Sequence, residues 1–326
     1  MMRSRKAALA TVPVLVVGTL LPLLLGKFHV YLLTEAMIYA IFGVSYYLLL
    51  GHTGLLSLGH AAYFGIGGYV AALCLVHLPD VPLPLVLLAG TLSGLVSGLV
   101  IGSVLLRLTK IYYSFATLAF SQMLWAIAWK WRSLTGGDDG LTGWSTRTVS
   151  VPLFGQFAIS SVNFLYYLVF FLAIASILLC WYFVRTPLGN TLASIKSNAD
   201  RAGFLGVNTS AAKFMLFGFS AMIAGLSGSL YILFKKLASP GFLDMFTSFD
   251  VVVISIIGGY LNFLGASVGS FIYVYLSEYL SSFTERWQLV MGVFFIIVIL
   301  YFPGGVVGVA RKAASKVAFF KGKGAP

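Results

Sequence analysis

Forty-four consecutive residues, 36–79, contain no Asp, Glu, Lys or Arg, and the middle of this stretch is rich in glycine. The hydrocarbon core of a bilayer, about 30 Å thick, is crossed by about 20 apolar residues in a helix. The stretch is therefore long enough for two crossings, which we expect to join at residues 51–54. Glycine on such helices lets neighbouring backbones approach closely.

The composition extends this conclusion to the whole chain. Of its 326 residues, 60% are hydrophobic and 9% are charged, and the mean hydropathy is +0.97, which excludes a soluble domain of this size. Cys74 and Cys180 lie far apart inside apolar runs, which disfavours a disulfide framework or a metal site. The apolar run 7–25 has no small-residue cleavage site after it, so we interpret it as a first span rather than a signal peptide.

Hydropathy predicts an all-α, polytopic membrane bundle of about ten segments that forms one transmembrane domain over residues 1–326. Glycines interrupt the stretch 250–280, so a re-entrant pair there would reduce the number of full crossings to eight. The predicted spans are residues 7–26, 30–50, 54–77, 82–106, 111–129, 163–184, 213–234, 250–261, 264–280 and 287–303.

The distribution of charge predicts which side each loop faces. Ten crossings place both termini on one side, and if that side is the cytoplasm, 14 of the 21 basic residues and a single acid, Asp200, lie inside. The loop 185–212 and a basic tail, 311–326, are then cytoplasmic, whereas the loop 130–162 is periplasmic. Most of the net charge of +12 faces anionic membrane lipid, so we do not expect nucleic-acid binding.

The cytoplasmic loop contains a predicted amphipathic helix. Thr186 can cap a helix that begins at Pro187, continues to about Phe204 and ends at Gly206. Its apolar residues fall on one face, which either docks into a groove of a partner or rests on lipid headgroups. These residues are Leu188, Leu192, Ile195 and Ala199.

Two kinds of residue stand out on the outer side. Trp131 and Trp144 of the periplasmic loop either receive a binding protein or belong to the aromatic belt at the membrane interface, and the sequence TGGDDG at 135–140 is typical of a turn. Three carboxylates lie near predicted span ends, where we expect them at the interface rather than as substrate ligands. They are Glu35, Asp250 and Glu278.

Glycine patterns indicate close packing and a break. Four glycines spaced by four residues share one face of the fourth span, which packs either inside the chain or on a second permease chain: Gly90, Gly94, Gly98 and Gly102. Gly258 and Gly259, followed by Gly265 and Gly269, predict a broken helix. Irregular backbone is tolerated at membrane depth where it is buried in protein or lines a cavity, so we place part of a translocation path there.

Motifs of enzymes and metal sites are absent from the sequence. It has no GxxxxGK[ST], HExxH or GxSxG, and no paired carboxylates deep in a span, so we predict no catalytic residue, metal or cofactor on this chain. His52 and His60 are the candidates for proton or metal chemistry, but eight residues apart they would point about 80° from each other on one helix. His60 is better explained as a packing residue or a donor that lines a pore.

Several separated segments resemble the LivM-type permeases of branched-chain amino acid ABC importers, within the hydrophobic amino acid uptake family. The resemblance covers nearly the whole chain in the order of the family. The segments are LLLGHTGLLSLGHAAYFGIGGYVAAL (48–73), TGGDDGL (135–141), PLGNTLASIKSNADRAGFLGVN (187–208), SAMIAGLSGSLY (220–231), and VVVISIIGGYLNFLGASVGSFI (251–272) with YFPGGVVG (301–308).

The resemblance implies a transport subunit, not an enzyme, in the bacterial inner membrane. Its implied partners are a LivH-like permease, two cytoplasmic ABC ATPases that bind ATP and Mg, and a periplasmic solute-binding protein that delivers branched-chain amino acids. Members of the family also serve urea, amides and aromatic acids, which are the alternative substrates. A stand-alone, ion-coupled secondary transporter is the alternative of another class.

The resemblance also implies roles for individual residues. It assigns ATPase coupling to the cytoplasmic helix, with an apolar contact and charged rim formed by Pro187, Leu188, Gly189, Leu192, Ile195, Lys196, Asp200, Arg201 and Gly206. Asn190 and Ser197 depart from the family, which usually has arginine and an acid there. A path for a zwitterion with an apolar tail needs a few polar groups among apolar walls. We expect the path at Ser57, Gly59, His60 and Tyr63, in addition to Gly258 and Gly259.

Overall fold

The computed structural model describes residues 16–78, 80–108, 110–144, 148–151, 155–159, 161–260, 262–302 and 304–309, so the predicted tail 311–326 lies outside the described residues. The described chain is a bundle of helices. We number them α1 (residues 16–24), α2 (Lys27–Thr53), α3 (Ala61–His77), α4 (Leu83–Leu105), α5 (Lys110–Lys130), α6 (Arg132–Thr135), α7 (Val162–Val184), α8 (Pro187–Ser197), α9 (Ala199–Phe204), α10 (Thr209–Lys235), α11 (Met245–Gly258), α12 (Gly265–Phe283) and α13 (Trp287–Tyr301).

The predicted periplasmic loop adds a short antiparallel hairpin to the helices. Its strands are β1 (Thr148–Val151) and β2 (Gly155–Ala158), and Thr148 pairs with Ala158. The sequence TGGDDG forms the predicted turn, with left-handed backbone at Gly136, Gly137 and Gly140. Trp144 is fully buried, whereas Trp131 is 52% exposed, so of the two tryptophans Trp131 has the side chain that a partner or lipid can reach.

Six helices in the described residues are long and apolar enough to cross a bilayer, which agrees with a multi-pass membrane protein. They are Lys27–Thr53, Leu83–Leu105, Ile111–Lys130, Val162–Val184, Thr209–Lys235 and Trp287–Val309. α3 and α11 are apolar but shorter. Most helices follow the predicted spans to within about five residues, but the span 54–77 is helical only from Ala61, and residues 7–15 of the first predicted span lie outside the described residues. Six of the eight to ten predicted crossings meet the length and composition of a full span.

The two longest helices form the centre of the bundle. α10 packs on α4, α3 and α2, and α2 also packs on α12, α7 and α11. In the most apolar 18-residue stretches of α2 and α10, 89% and 83% of the residues are buried inside the bundle. The corresponding share in the other four spans is 18–39%. The exposed residues of those four spans are mostly apolar, as expected of helices that contact lipid.

The glycine face of α4 packs against α10 of the same chain. A Cβ atom at Gly94 would lie 2.5 Å from the carbonyl oxygen of Ala221 and 2.9 Å from the Cα atom of Gly225. Gly90, Gly98 and Gly102 meet Ser229, Ala221 and Phe217 in the same way. Of the two expected uses of this face, the structure shows packing within the chain.

α8 lies across one end of the bundle, at the last turn of α2. The ammonium of Lys196 donates to the carbonyl oxygen of Gly51, in the last turn of α2, at 2.7 Å. Gly54 then ends α2 in a left-handed conformation. We call this the inner end and the opposite one the outer end, in accordance with the predicted topology.

The close contact between α4 and α10 makes a test of the packing possible. Gly94→Val should lower the thermal stability of the detergent-solubilised chain by about 1–3 kcal/mol, because the new side chain would overlap the α10 backbone. Gly292→Val is the matched control, since nothing lies within 4 Å of a Cβ atom there. Equal melting temperatures of the two variants in fluorescence-detected size exclusion would contradict the packing.

Candidate functional site

Helix breaks lie inside the bundle rather than at its ends. The predicted span 54–77 is helical only from Ala61, and residues 54–60 run back from the inner end of α2 without helical structure. His60, at the end of this segment, stacks on Phe42 with ring centroids 5.4 Å apart. Phe42 lies near the middle of α2, so the segment carries non-helical backbone to the centre of the bundle.

A row of hydroxyl groups on α5 binds this irregular backbone. Ser114 donates to the carbonyl oxygen of Leu56 at 2.6 Å, and the amide of Leu58 donates to Thr117 Oγ1 at 3.0 Å. One turn further on, Ser121 donates to the carbonyl oxygen of Leu243 at 2.7 Å. Spacings of three and four residues place the hydroxyl groups on one helix face.

Two further contacts fix the start of α3. The amide of Ala61 donates to Ser248 Oγ of α11 at 3.0 Å. Gly59 touches the α5 backbone so closely that a Cβ atom would lie 1.9 Å from the carbonyl oxygen of Thr117. Glycine is therefore required at this position by the close packing of the two backbones.

His60 is buried in an aromatic shell. Its Nε2 atom is 2.9 Å from Ser45 Oγ, and its ring meets those of Tyr46 and Tyr63 edge-on. The assumption that His52 and His60 share one helix is wrong, because α2 ends at Thr53 and residues 54–60 are not helical. Among the described residues, no group of three His, Cys, Asp or Glu could hold a metal ion.

Polar groups gather around this segment with their hydrogen bonds incomplete. Ser57 lies beside Tyr113, and the rings of Tyr113 and Tyr63 both meet the ring of Phe217 edge-on, with centroids 6.2 and 5.4 Å away. The buried hydroxyl of Tyr46 and the Nδ1 atom of His60 have no hydrogen-bond partner in the described residues. Because buried polar atoms are normally paired, these two atoms are available as hydrogen-bonding groups for a water molecule or a polar ligand. We call Tyr46, Ser57, His60, Tyr63 and Tyr113 the polar cluster.

The structure brings together the first group of predicted path residues but not the second. Ser57, His60 and Tyr63 belong to the polar cluster, with Gly59 beside them. Gly258 packs on Gly265 and Gly269, and Gly259 packs on residues 304–305 with a φ of 108°. The predicted break after α11 is present, but its glycines bring backbones together instead of lining the cluster. Tyr46 and Tyr113 were missed by the sequence analysis. The hydroxyl row of α5 was missed as well, although the Ser-x-x-Thr-x-x-x-Ser spacing was an available signal for it.

The cytoplasmic loop differs from prediction in two respects. Thr186 caps α8 as expected, by accepting from the amide of Gly189 at 3.4 Å. The prediction of one helix to Phe204 is wrong, because Asn198 ends α8 and caps α9, accepting from the amide of Arg201 at 2.9 Å. The segment is therefore two short helices joined at an exposed residue.

The predicted docking face of this loop is turned inward. Leu192 is fully buried and Ile195 is 3% exposed, because α8 rests on α2, α7 and α10. The apolar groups available to a partner are instead Phe204, 91% exposed, and Leu205, 80% exposed, at the end of α9. Asp200 and Arg201 are exposed beside them, and Gly206 ends the turn with a φ of 84°.

Residues 28–299 match the sequence profile of the family described as branched-chain amino acid transport system, permease component. The chain belongs to this permease family. It is 25% identical over 267 residues to the high-affinity branched-chain amino acid transport system permease protein LivM of Salmonella typhimurium, and 25% identical over 270 residues to LivM of Escherichia coli. Each match covers 76% of this permease and 63% of the relative.

The hydroxyl row of this permease generates a stability prediction. Thr117→Val keeps the side-chain shape but leaves the amide of Leu58 unpaired in the bundle, which should cost about 1–3 kcal/mol. Thr91→Val is the isosteric control, since Thr91 donates only to the carbonyl of Leu87 on its own helix. A thermal melt in which Thr117→Val is no less stable than Thr91→Val would show that the row does not support the segment.

Proposed function

We propose that this chain is a permease subunit of an ATP-driven importer in the bacterial inner membrane, and that it conducts branched-chain amino acids delivered by a periplasmic binding protein. It works with a second, LivH-like permease and with two cytoplasmic ATPases, which bind ATP and Mg. Family membership and the names of the relatives support this function.

The observation that carries the proposal is the physical link between the surface loop and the polar cluster. Lys196 of α8 binds the carbonyl of Gly51, three residues before the irregular segment 54–60 begins. A cation at the last carbonyls of a helix is well placed to hold that end. Movement of α8 and α9 by a partner therefore acts directly on the segment that carries Ser57 and His60.

The exposed pair Phe204 and Leu205 is the contact to the ATPase in this proposal. Exposed apolar side chains at a loop tip fit the small apolar anchors that dominate interface energies. Arg201 supplies a charge beside the pair, in place of the rim that was expected around the α8 face. Lys196 instead serves the link to α2.

We place the polar cluster in the inner part of the translocation path. It offers hydroxyl and imidazole groups among apolar walls, which is the combination that a substrate with an apolar tail needs. Because Ser57 and His60 lie on irregular backbone and not on a helix, their positions can shift without breaking helical hydrogen bonds.

The coupling contact can be tested with the double variant Phe204→Ala and Leu205→Ala. We expect ATP hydrolysis stimulated by substrate-loaded binding protein to fall at least about tenfold, the effect of losing an anchor worth 1.4 kcal/mol or more, with an unchanged melting temperature because both side chains are exposed. The control removes the same two types of exposed side chain elsewhere, by Phe283→Ala and Leu289→Ala, which are 70% and 64% exposed. Full stimulation of the double variant would refute the contact.

ATPase stimulation and melting temperature, measured together, also distinguish the exposed pair Phe204 and Leu205 from the buried face of α8. Leu192→Asp places a carboxylate where the side chain is fully buried, so we expect it to lower the melting temperature of the permease itself. A normal melt together with lost ATPase stimulation would instead restore the original assignment of Leu192 to the partner interface.

A substitution in the polar cluster should lower transport without lowering stability. Tyr46→Phe removes a buried hydroxyl without a partner, so stability should stay the same or rise, whereas uptake of leucine into proteoliposomes should fall. Tyr279→Phe is the control, since that side chain is 63% exposed. Lower stability with normal uptake would mean that Tyr46 is only a packing residue.

A further inference from the structure

Charged side chains meet near the outer end of the bundle. Glu35 of α2 and Lys235 of α10 form an ion pair at 2.7 Å, with side chains 14% and 30% exposed. The hydroxyl of Tyr231 donates to Glu35 at 3.4 Å, and the ammonium of Lys235 lies 3.4 Å from the hydroxyl of Tyr31. This ion pair lies between two central helices rather than as an isolated surface charge.

Asp250 of α11 is the second carboxylate of this region. It accepts a hydrogen bond from the hydroxyl of Tyr273 at 2.5 Å and is only partly accessible. In the described part of the chain it forms no ion pair. Glu278, the third carboxylate expected at the interface, is exposed and takes no part in the region.

Tyrosines join the two carboxylates into one site. The ring of Tyr39 lies 5.7 Å from that of Tyr231 and 6.1 Å from that of Tyr273. The ammonium of Lys235 lies 5.4 Å from the centroid of the Tyr231 ring. Tyr231 therefore connects the ion pair to Tyr39, and Tyr39 contacts Tyr273, which donates to Asp250. All three tyrosines are buried, with 5–8% of their surface exposed.

The charges of this site are one cation short. Glu35 is matched by Lys235, whereas the side-chain partner of Asp250 among the described residues is the hydroxyl of Tyr273 alone. An uncompensated carboxylate inside a membrane bundle is costly, and a cation that enters the site removes that cost. The aromatic faces around Asp250 favour an ammonium group. Lys235 has three N–H donors and uses them toward Glu35 and Tyr31, which leaves one for an incoming carboxylate.

We propose that Asp250, with Tyr39, Tyr231 and Tyr273, binds the ammonium group of the transported amino acid near the outer end, while Lys235 binds its carboxylate. This inference rests on the proposed importer function and specifies its substrate class. Urea, amides and aromatic acids carry no ammonium group, so the site selects against them. Substrate released by a binding protein would meet this charged site first and the neutral polar cluster second.

The test measures binding of tritiated leucine to the purified permease complex in nanodiscs, without binding protein, by scintillation proximity. Isoamylamine, which keeps only the ammonium group, should compete, whereas isocaproate, which keeps only the carboxylate, and urea should compete far less. Asp250→Asn should weaken leucine binding at least about tenfold, the loss expected when a charge pair worth 1.4 kcal/mol disappears. Glu278→Gln, an exposed carboxylate of α12, is the matched control and should bind leucine normally.

A second variant helps to distinguish a loss of binding from a loss of folding. Tyr273→Phe removes the hydrogen bond to Asp250 but keeps the carboxylate, so it should weaken leucine binding less than Asp250→Asn does. The size-exclusion profile of each variant shows whether it is folded.

The site and the importer function can fail separately. Leucine binding that is equal in Asp250→Asn and wild type, competition by urea as strong as by isoamylamine, or no binding to the wild type would overturn the site. Leucine uptake that depends on the binding protein would still uphold the importer in those cases. Conversely, isoamylamine binding that is lost in Asp250→Asn, without leucine uptake by the wild type, would uphold the site and reject the branched-chain substrate.

Discussion

Backbone groups inside an apolar medium need hydrogen-bond partners, and this requirement governs the centre of the permease. A helix satisfies them internally, but residues 54–60 and 236–244 are not α-helical where they pass through the bundle. Ser114, Thr117 and Ser121 on one face of α5 supply the missing partners. The row thereby allows irregular backbone, and with it Ser57 and His60, to lie in the core. The polar cluster depends on that support.

Close glycine packing sets the distances that this arrangement needs. The backbones of α4 and α10 touch at Gly94 and Gly225, and α3 touches α10 at Gly67. α3 is therefore held against α10 while its start is held by α5 and α11. At the other end of residues 54–60 the segment joins α2. There Lys196 of the surface loop binds the carbonyl oxygen of Gly51. Close packing on one side and the Lys196 contact on the other therefore flank the segment that the hydroxyl groups of α5 bind.

Two groups of polar residues with different chemistry lie along the central helices, one near the outer end and one further inside. The outer one contains Glu35, Lys235 and Asp250 among tyrosines, and the inner one contains hydroxyl groups and His60 without a nearby charge. In the proposed importer, the charged outer site would attract a zwitterion out of water, whereas the neutral inner site would not hold it strongly. This order of polarity suits transport, because a substrate must be bound well enough to enter and weakly enough to leave.

The sequence by itself determined the helices, the glycine face of α4, the cap at Thr186 and the family, since these depend on local periodicity, caps and motifs. It also placed Ser57, Gly59 and His60 in one segment, and the structure shows that this segment is not helical. Tertiary structure decided the rest. Whether Leu192 faces a partner or the chain's own helices, whether 54–60 is helical, and which tyrosines surround Asp250 all depend on contacts between residues more than 50 positions apart or on separate helices. Hydropathy and local spacing carry no information about such contacts.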